Sequence, residues 1–261
     1  MTDVRDLDPA SLRPIVEEQP YPVVFTTVSG AHLYGFASRD SDVDLRGVHL
    51  LPAELVVGLR TGPQTLDRSW VRDGVEMDLV THDLAKFARL LLRRNGYVLE
   101  QLLSPLVVTT SPAHERMIAL APACLTRHHA HHYLGFARTQ YELFRRTDEL
   151  KPLLYTVRVL LTGIHLMRTG QVQAHLPTLI AGLPEAPRWV DDAMHHKANA
   201  EHTGNRGLVP AKQVDADHDR LVSVLEGERD RSSLPEAPTA ESALHDLVVR
   251  QRLGERGLSS C

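Results

Sequence analysis

The chain of 261 residues contains only two cysteines, Cys124 and Cys261, which stand far apart in the sequence. This scarcity excludes a disulfide framework or a cysteine zinc site as the basis of the fold. The sequence also has no apolar run of the roughly 20 residues that a membrane span requires. Its acidic first residues differ from the basic start of a signal peptide. We therefore expect a cytoplasmic protein with no membrane segment.

An excess of positive charge is missing as well. The 29 basic and 33 acidic residues give a net charge of −4, which argues against a protein whose whole surface binds nucleic acid through its phosphates. A local basic groove is still compatible with this charge. Hydrophobic residues make up 43% of the chain, so it can fill the core of one large domain or two ordinary ones.

The spacing of the apolar residues changes near residue 110. Before it, β-like runs at 23–28, 43–51 and 75–80 alternate with helical patterns, whereas almost every later pattern has helical spacing. We predict two domains, residues 1–110 with strands and helices and residues 111–261 with helices alone. The charged, proline-containing stretch 227–238 is the best predicted linker.

Two aspartates near the start of the second predicted strand are the most informative residues of the chain. Asp42 and Asp44 are separated by one residue, so on a strand their side chains project from the same face and can bind one hard cation. Asp78 lies within the third predicted strand and supplies a third carboxylate, with Glu76 as the runner-up of the same parity. Three carboxylates suit a pair of metal ions that stabilise a phosphoryl transfer. The alternative interpretation is a solvated polar turn.

A turn of small residues precedes these aspartates. Its backbone N–H groups can approach a phosphate closely, because no bulky side chain is in the way. Nucleotide contacts are therefore expected from Ser29, Gly30, Ala31 and, next to the aspartates, Ser41. Arg46 has the same strand parity as the aspartates and can either reach a substrate phosphate or pair with a carboxylate.

Together these residues resemble the signature of the DNA polymerase β-type nucleotidyltransferase superfamily, in which a glycine turn precedes a metal-binding D-x-D motif. The wider run 29–47, with 78–87 and 95–100, more narrowly resembles the predicted bacterial nucleotidyltransferases of the RlaP type. The resemblance implies an α+β fold, with a small mixed β-sheet flanked by helices and followed by an all-helical domain. It also implies Mg²⁺, or Mn²⁺, as cofactor.

Basic residues on a later predicted helix, 150–168, extend this expectation. Lys151 and Arg158 share one face of that helix with Tyr155 and His165. In two-domain nucleotidyltransferases the helical domain commonly closes over the nucleotide, so we predict that Lys151 and Arg158 neutralise the triphosphate. The alternative is an exposed amphipathic face. The histidine-rich run 128–132 is better explained by a polar helix face than by a zinc site.

The predicted function is metal-dependent transfer of a nucleoside monophosphate from a nucleoside triphosphate such as ATP to a hydroxyl, with release of pyrophosphate. The acceptor is an RNA 3′ end, as in RNA repair, a protein or a small molecule. Ala31 stands where the superfamily usually has serine. This departure motivates an alternative, a catalytically weak or inactive nucleotide-binding regulatory module. A phosphohydrolase using the same carboxylates is a third hypothesis.

Overall fold

The structure, a computed structural model, describes residues 7–199 and 202–254. Within them a mixed sheet has the strand order β3-β4-β2-β1-β5. The strands are β1 Val23–Val28, β2 Val43–His49, β3 Thr65–Arg72, β4 Val75–Asp83 and β5 Val107–Thr109. β2 and β4 run parallel, whereas the other neighbouring pairs are antiparallel. The predicted α+β class with a small mixed sheet is confirmed.

Alternation along two central strands decides which side chains enter the core. In β2, Val43 and Leu45 are buried while Asp44 is half-buried on the opposite face. In β4, Leu79 is buried and Asp78 is half-buried. Successive side chains on a strand point to opposite faces, so burying the apolar residues of both strands leaves their carboxylates together on the other face.

The helices follow the pattern of the sequence in most places. Their bounds are α1 Arg13–Glu17, α2 Gly30–Tyr34, α3 Glu54–Val57, α4 Leu84–Leu91, α5 Gly96–Leu102, α6 Pro112–Cys124, α7 His129–Thr147, α8 Leu150–Thr169, α9 Leu176–Gly182, α10 Val190–Lys197, α11 Ala211–Arg231 and α12 Glu241–Leu253. Asp83 caps α4 by accepting a hydrogen bond from Ala85 N. Gly170 ends α8 in the left-handed conformation.

Two compact units make up the described chain. The first, here called the sheet unit, comprises residues 8–30, 42–124 and 237–254. In this unit α4 packs against β2 and β4, and α12 packs against α4 and α6. Phe25 lies in its core, edge-on to Phe87 and stacked on His114.

The second, here called the helical unit, comprises Leu7 and residues 31–41 and 125–236, except 200 and 201. Its centre is α8, which is buried on nearly all sides and packs against α7 and α11. The predicted domains 1–110 and 111–261 stay a prediction. The compact units themselves combine segments that are distant in the chain.

Two local details differ from what the sequence predicts. The boundary between the two units after Glu236 falls within the predicted linker 227–238, but the first part of this stretch belongs to α11, which continues to Arg231 and in which Glu228 forms ion pairs with Arg168 and Arg231. β3 was not predicted, since its outward residues are charged and its alternation is weak. No helix in the described part of the chain is long and apolar enough to span a membrane.

Candidate active site

Asp44 and Asp78 are directly adjacent on the two parallel strands of the sheet. They are register partners in the β2–β4 pair, so their side chains leave the same face of the sheet. A single nitrogen, Nη2 of Arg46, donates to Asp44 Oδ1 and to Asp78 Oδ2, each at 2.8 Å. The strand parity predicted from the sequence therefore corresponds to a real juxtaposition of the two carboxylates.

Asp42 lines the same open cavity of about 460 Å³ as these two aspartates. Glu76, the runner-up, also lines this cavity, so the four acidic residues singled out from the sequence surround one space. Asp44 and Asp78 keep 26% and 33% of their side-chain surface exposed. Both carboxylates are thus accessible to a ligand, while the strands beneath them are fixed by the core.

Arg46 is held by five hydrogen bonds. Besides the two carboxylates, it donates from Nε to Tyr97 Oη at 3.3 Å and from Nη1 to the carbonyl oxygens of Leu45 and Asp78 at 2.9 and 3.0 Å. Burial of Arg46 lowers the pKa of its guanidinium. The neighbouring Tyr97, Asp44 and Asp78 together raise that pKa by more, so the net shift is upward. Of the two roles left open for Arg46, pairing with carboxylates is the one observed.

The small-residue turn lies against the carboxylate of Asp44. Gly30 has φ +62°, and a Cβ atom at this position would overlap Asp44 Oδ2. The backbone N–H of Ser29 donates to the Asp44 carbonyl at 2.8 Å. Glycine is required here because any side chain would both strain the backbone and displace the carboxylate.

Ser29 itself is fully buried. Within the described residues its Oγ has no hydrogen-bond partner. An unsatisfied buried hydroxyl costs about 1–3 kcal/mol, so such a group in a turn beside a carboxylate is a feature expected of a ligand site. Ala31 is buried next to the turn.

The remaining predicted contacts lie in the helical unit. Ser41 is buried in a turn where its Oγ accepts from Ser38 N and pairs with Ser38 Oγ, both at 2.9 Å. Lys197 is also fully buried and donates to Ser38 Oγ at 3.0 Å. A direct contact between Ser41 and a nucleotide stays a prediction.

Arg158 is not on an exposed face of α8. Only 2% of it is exposed, and its guanidinium lies 3.7 Å from the centre of the Tyr34 ring, a cation–π contact. Lys151 lies in the first turn of α8 and is half-buried. Phosphate binding by these two residues stays a prediction, but the exposed-face alternative is wrong for Arg158.

The chemistry of the carboxylates fits a hard divalent cation. Asp42, Asp44 and Asp78 offer the oxygen ligands that Mg²⁺ and Mn²⁺ prefer, and a positively charged group already lies between two of them. Among residues 7–199 and 202–254, however, no three His, Cys, Asp or Glu side chains are arranged to hold a metal ion. The donors are present, with Arg46 between them.

Two further contributors were missed by sequence reasoning. Ser69, on β3, donates from Oγ to Asp78 Oδ1 at 3.1 Å. Tyr97, the second residue of α5, accepts from Arg46. No sequence signal identified Ser69, since β3 was not predicted, whereas Tyr97 falls inside the run 95–100 that carried the family resemblance.

The sequence is similar to those of known proteins. The sequence profile of the RlaP family, described as the RNA repair pathway DNA polymerase beta family, matches residues 4–250. The uncharacterized protein MJ0002 of Methanocaldococcus jannaschii is 32% identical over 158 residues, which are 58% of this chain and 63% of that protein. The chain thus spans less than two thirds of this relative's length.

A solved structure of a nucleotidyltransferase-like protein from Exiguobacterium sibiricum is also similar. It is 13% identical and aligns over 95% of this chain and 80% of that chain, with a TM-score of 0.34. A score this low supports no conclusion by itself.

Proposed function

The chain belongs to the RlaP family, the RNA repair pathway DNA polymerase beta family, and on this premise we propose that it is a metal-dependent nucleotidyltransferase. It transfers a nucleoside monophosphate from a nucleoside triphosphate to a hydroxyl acceptor and releases pyrophosphate. The observation that carries the proposal is the cavity lined jointly by Asp42, Asp44 and Asp78. The overlap of a Cβ at Gly30 with Asp44 supports the proposal, because the small-residue turn and the carboxylates then belong to one site.

In this proposal Asp42 and Asp44 would hold the metal ions, and Asp78 would complete the set of carboxylates beside the acceptor hydroxyl. A magnesium ion bound there would supply the positive charge that stabilises the attacking and leaving oxygens. The acceptor oxygen forms a bond to the α-phosphorus while the bond from that phosphorus to the pyrophosphate oxygen breaks. Asp78 receives the proton of the hydroxyl and passes it to water.

The phosphate tail is proposed to bind at the turn. Gly30 and Ala31 begin α2, and the first N–H groups of a helix have no partner inside it. The buried Ser29 hydroxyl supplies the donor that the superfamily usually takes from the residue at position 31. Lys151, Arg158 and Ser41 are kept as proposed contacts of the nucleotide.

For the acceptor we propose an RNA 3′ end, because the family is described by RNA repair. A protein or small-molecule hydroxyl is the other acceptor to be tested. ATP is the proposed first choice of triphosphate. A cytoplasmic location is proposed from the low cysteine content, and Cys124 is a buried free thiol.

Two observations favour a second function, a nucleotide-binding regulatory module. Arg46 bridges Asp44 and Asp78, and Ala31 replaces the usual serine. In such a module the carboxylates would stay paired with Arg46 and the bound nucleotide would not be turned over.

The experiment incubates the full-length protein with each α-labelled triphosphate, Mg²⁺ or Mn²⁺, and RNA, protein or small-molecule acceptors. Label transfer with pyrophosphate release supports the enzyme, provided that Asp42→Asn and Asp44→Asn abolish it. Asp67→Asn is the matched control, since Asp67 is exposed on β3. Nucleotide binding without transfer supports the regulatory module, and release of inorganic phosphate supports a phosphohydrolase.

A further inference from the structure

Arg46 lies where the negative charge of two aspartates would also favour a bound cation. Its Nη2 donates to one oxygen of Asp44 and one oxygen of Asp78, both at 2.8 Å. The other oxygen of Asp78 accepts from Ser69 at 3.1 Å. Two neighbouring carboxylates repel each other, and a shared guanidinium nitrogen offsets that repulsion.

The guanidinium also has anchors that do not involve the carboxylates. Nη1 donates to the carbonyl oxygens of Leu45 and Asp78, and Nε donates to Tyr97. These contacts hold the guanidinium in the place where Nη2 reaches both carboxylates, so the loss of one of them loosens its hold on Asp44 and Asp78. The side chain is 12% exposed, so it is packed in place and does not move freely into solvent.

We infer that Arg46 is the resident counter-cation of the carboxylate cluster and that a divalent metal competes with it for Asp44 and Asp78. This inference rests on the proposed function, since it assigns the same carboxylates to the metal. Arg46 would then be a positioning residue: it keeps the two aspartates together before metal binds and weakens metal binding by its own charge. Metal affinity would be set by this competition as much as by the carboxylates themselves.

Electrostatics gives the expected direction and size. A unit positive charge a few ångströms from a divalent cation weakens its binding by about tenfold or more, even at the dielectric constant of water. Removing the charge of Arg46 should therefore tighten metal binding. If Arg46 only supported the fold, its removal would loosen the carboxylates and weaken binding.

The test measures Mn²⁺ affinity of the full chain without nucleotide, from the electron paramagnetic resonance signal of free Mn²⁺. Arg46→Gln should bind Mn²⁺ about tenfold more tightly than the wild type. Arg89→Gln, an exposed arginine of α4 that pairs with Gln64, makes the same change in net charge and should leave the affinity unchanged. Asp44→Asn should weaken binding, which assigns the signal to this site.

Thermal unfolding shows whether Arg46→Gln is folded. A second variant tests the inference if it is not. Tyr97→Phe keeps the arginine but removes its Nε acceptor, and should tighten Mn²⁺ binding by about threefold. Unchanged or weaker Mn²⁺ affinity in the folded Arg46→Gln protein overturns the inference. If that protein does not fold, unchanged affinity in Tyr97→Phe overturns it.

Transfer activity measured in parallel separates this inference from the proposed function. Wild-type transfer together with unchanged Mn²⁺ affinity in Arg46→Gln would overturn the inference and leave the enzyme proposal standing. Tighter Mn²⁺ binding in Arg46→Gln with no transfer by the wild type would support the inference and point to the regulatory module.

Discussion

Substituting Gly30 by alanine should damage the site far more than the fold. At φ +62° an alanine costs about 1–2 kcal/mol in the left-handed conformation. The new Cβ also overlaps Asp44 Oδ2, and relieving such overpacking typically costs another 1–3 kcal/mol. We therefore expect a loss of about 2–5 kcal/mol in the free energy of unfolding, with the Asp44 carboxylate pushed from its position.

Gly74→Ala is the matched control for this change. Gly74 has φ +80° in the turn between β3 and β4, and nothing lies within 4 Å of a Cβ added there. Gly74→Ala therefore has the backbone cost of about 1–2 kcal/mol and no steric clash.

Two assays separate the two glycines. Chemical unfolding should show Gly30→Ala to be the less stable variant by about 1–3 kcal/mol. The transfer rate should fall at least about 100-fold in Gly30→Ala, because a displacement near 1 Å has that effect on positioned groups, and should be unchanged in Gly74→Ala. Equal stability and equal activity of the two variants would show that the turn does not position Asp44.

Two further predictions concern stability. Arg252→Met should lower the free energy of unfolding by about 3–5 kcal/mol, because it leaves the buried Asp83 without the guanidinium that binds both of its oxygens at 2.7 and 2.9 Å. Urea unfolding measures this loss. A loss no larger than that of the exposed control Arg250→Met would contradict the prediction. Burial, with smaller effects of His129 and Arg158, lowers the pKa of His132 from 6.5 to about 4, so protonation favours the unfolded chain as the pH falls. The contribution of His132 to the free energy of unfolding is intact above pH 6.5 and declines by up to about 3 kcal/mol towards pH 4. His132→Gln should flatten this part of the dependence of stability on pH, and an unchanged dependence would contradict the assignment to His132.

The carboxylate arrangement was predictable because it depends on local rules. Period-two alternation places Asp44 opposite buried Leu45 and Asp78 opposite buried Leu79, and each apolar neighbour fixes the face of its aspartate. The N-cap Asp83 and the terminal Gly170 follow from equally local requirements of helix ends. Such features need no knowledge of distant contacts.

Other parts of the site depend on long-range packing. Strand parity predicts that Arg46 lies on the same face as the aspartates. Its pairing with carboxylates, however, depends on the neighbouring strand and on Tyr97. Arg158 has a polar helical spacing, yet Tyr34, more than a hundred residues away in the sequence, covers it. Lys197 ends a helix with mostly polar residues and is nevertheless fully buried at Ser38.

We propose that Asp44 and Asp78 act as one unit in nucleotidyl transfer. The most direct test is the single-turnover rate of label transfer from an α-labelled triphosphate in Asp44→Asn, Asp78→Asn and the double variant. Each single change should lower the rate at least about 100-fold, and the double variant should be no slower than the worse single one, as for residues that act together. Small losses in each single variant that multiply in the double variant would contradict it.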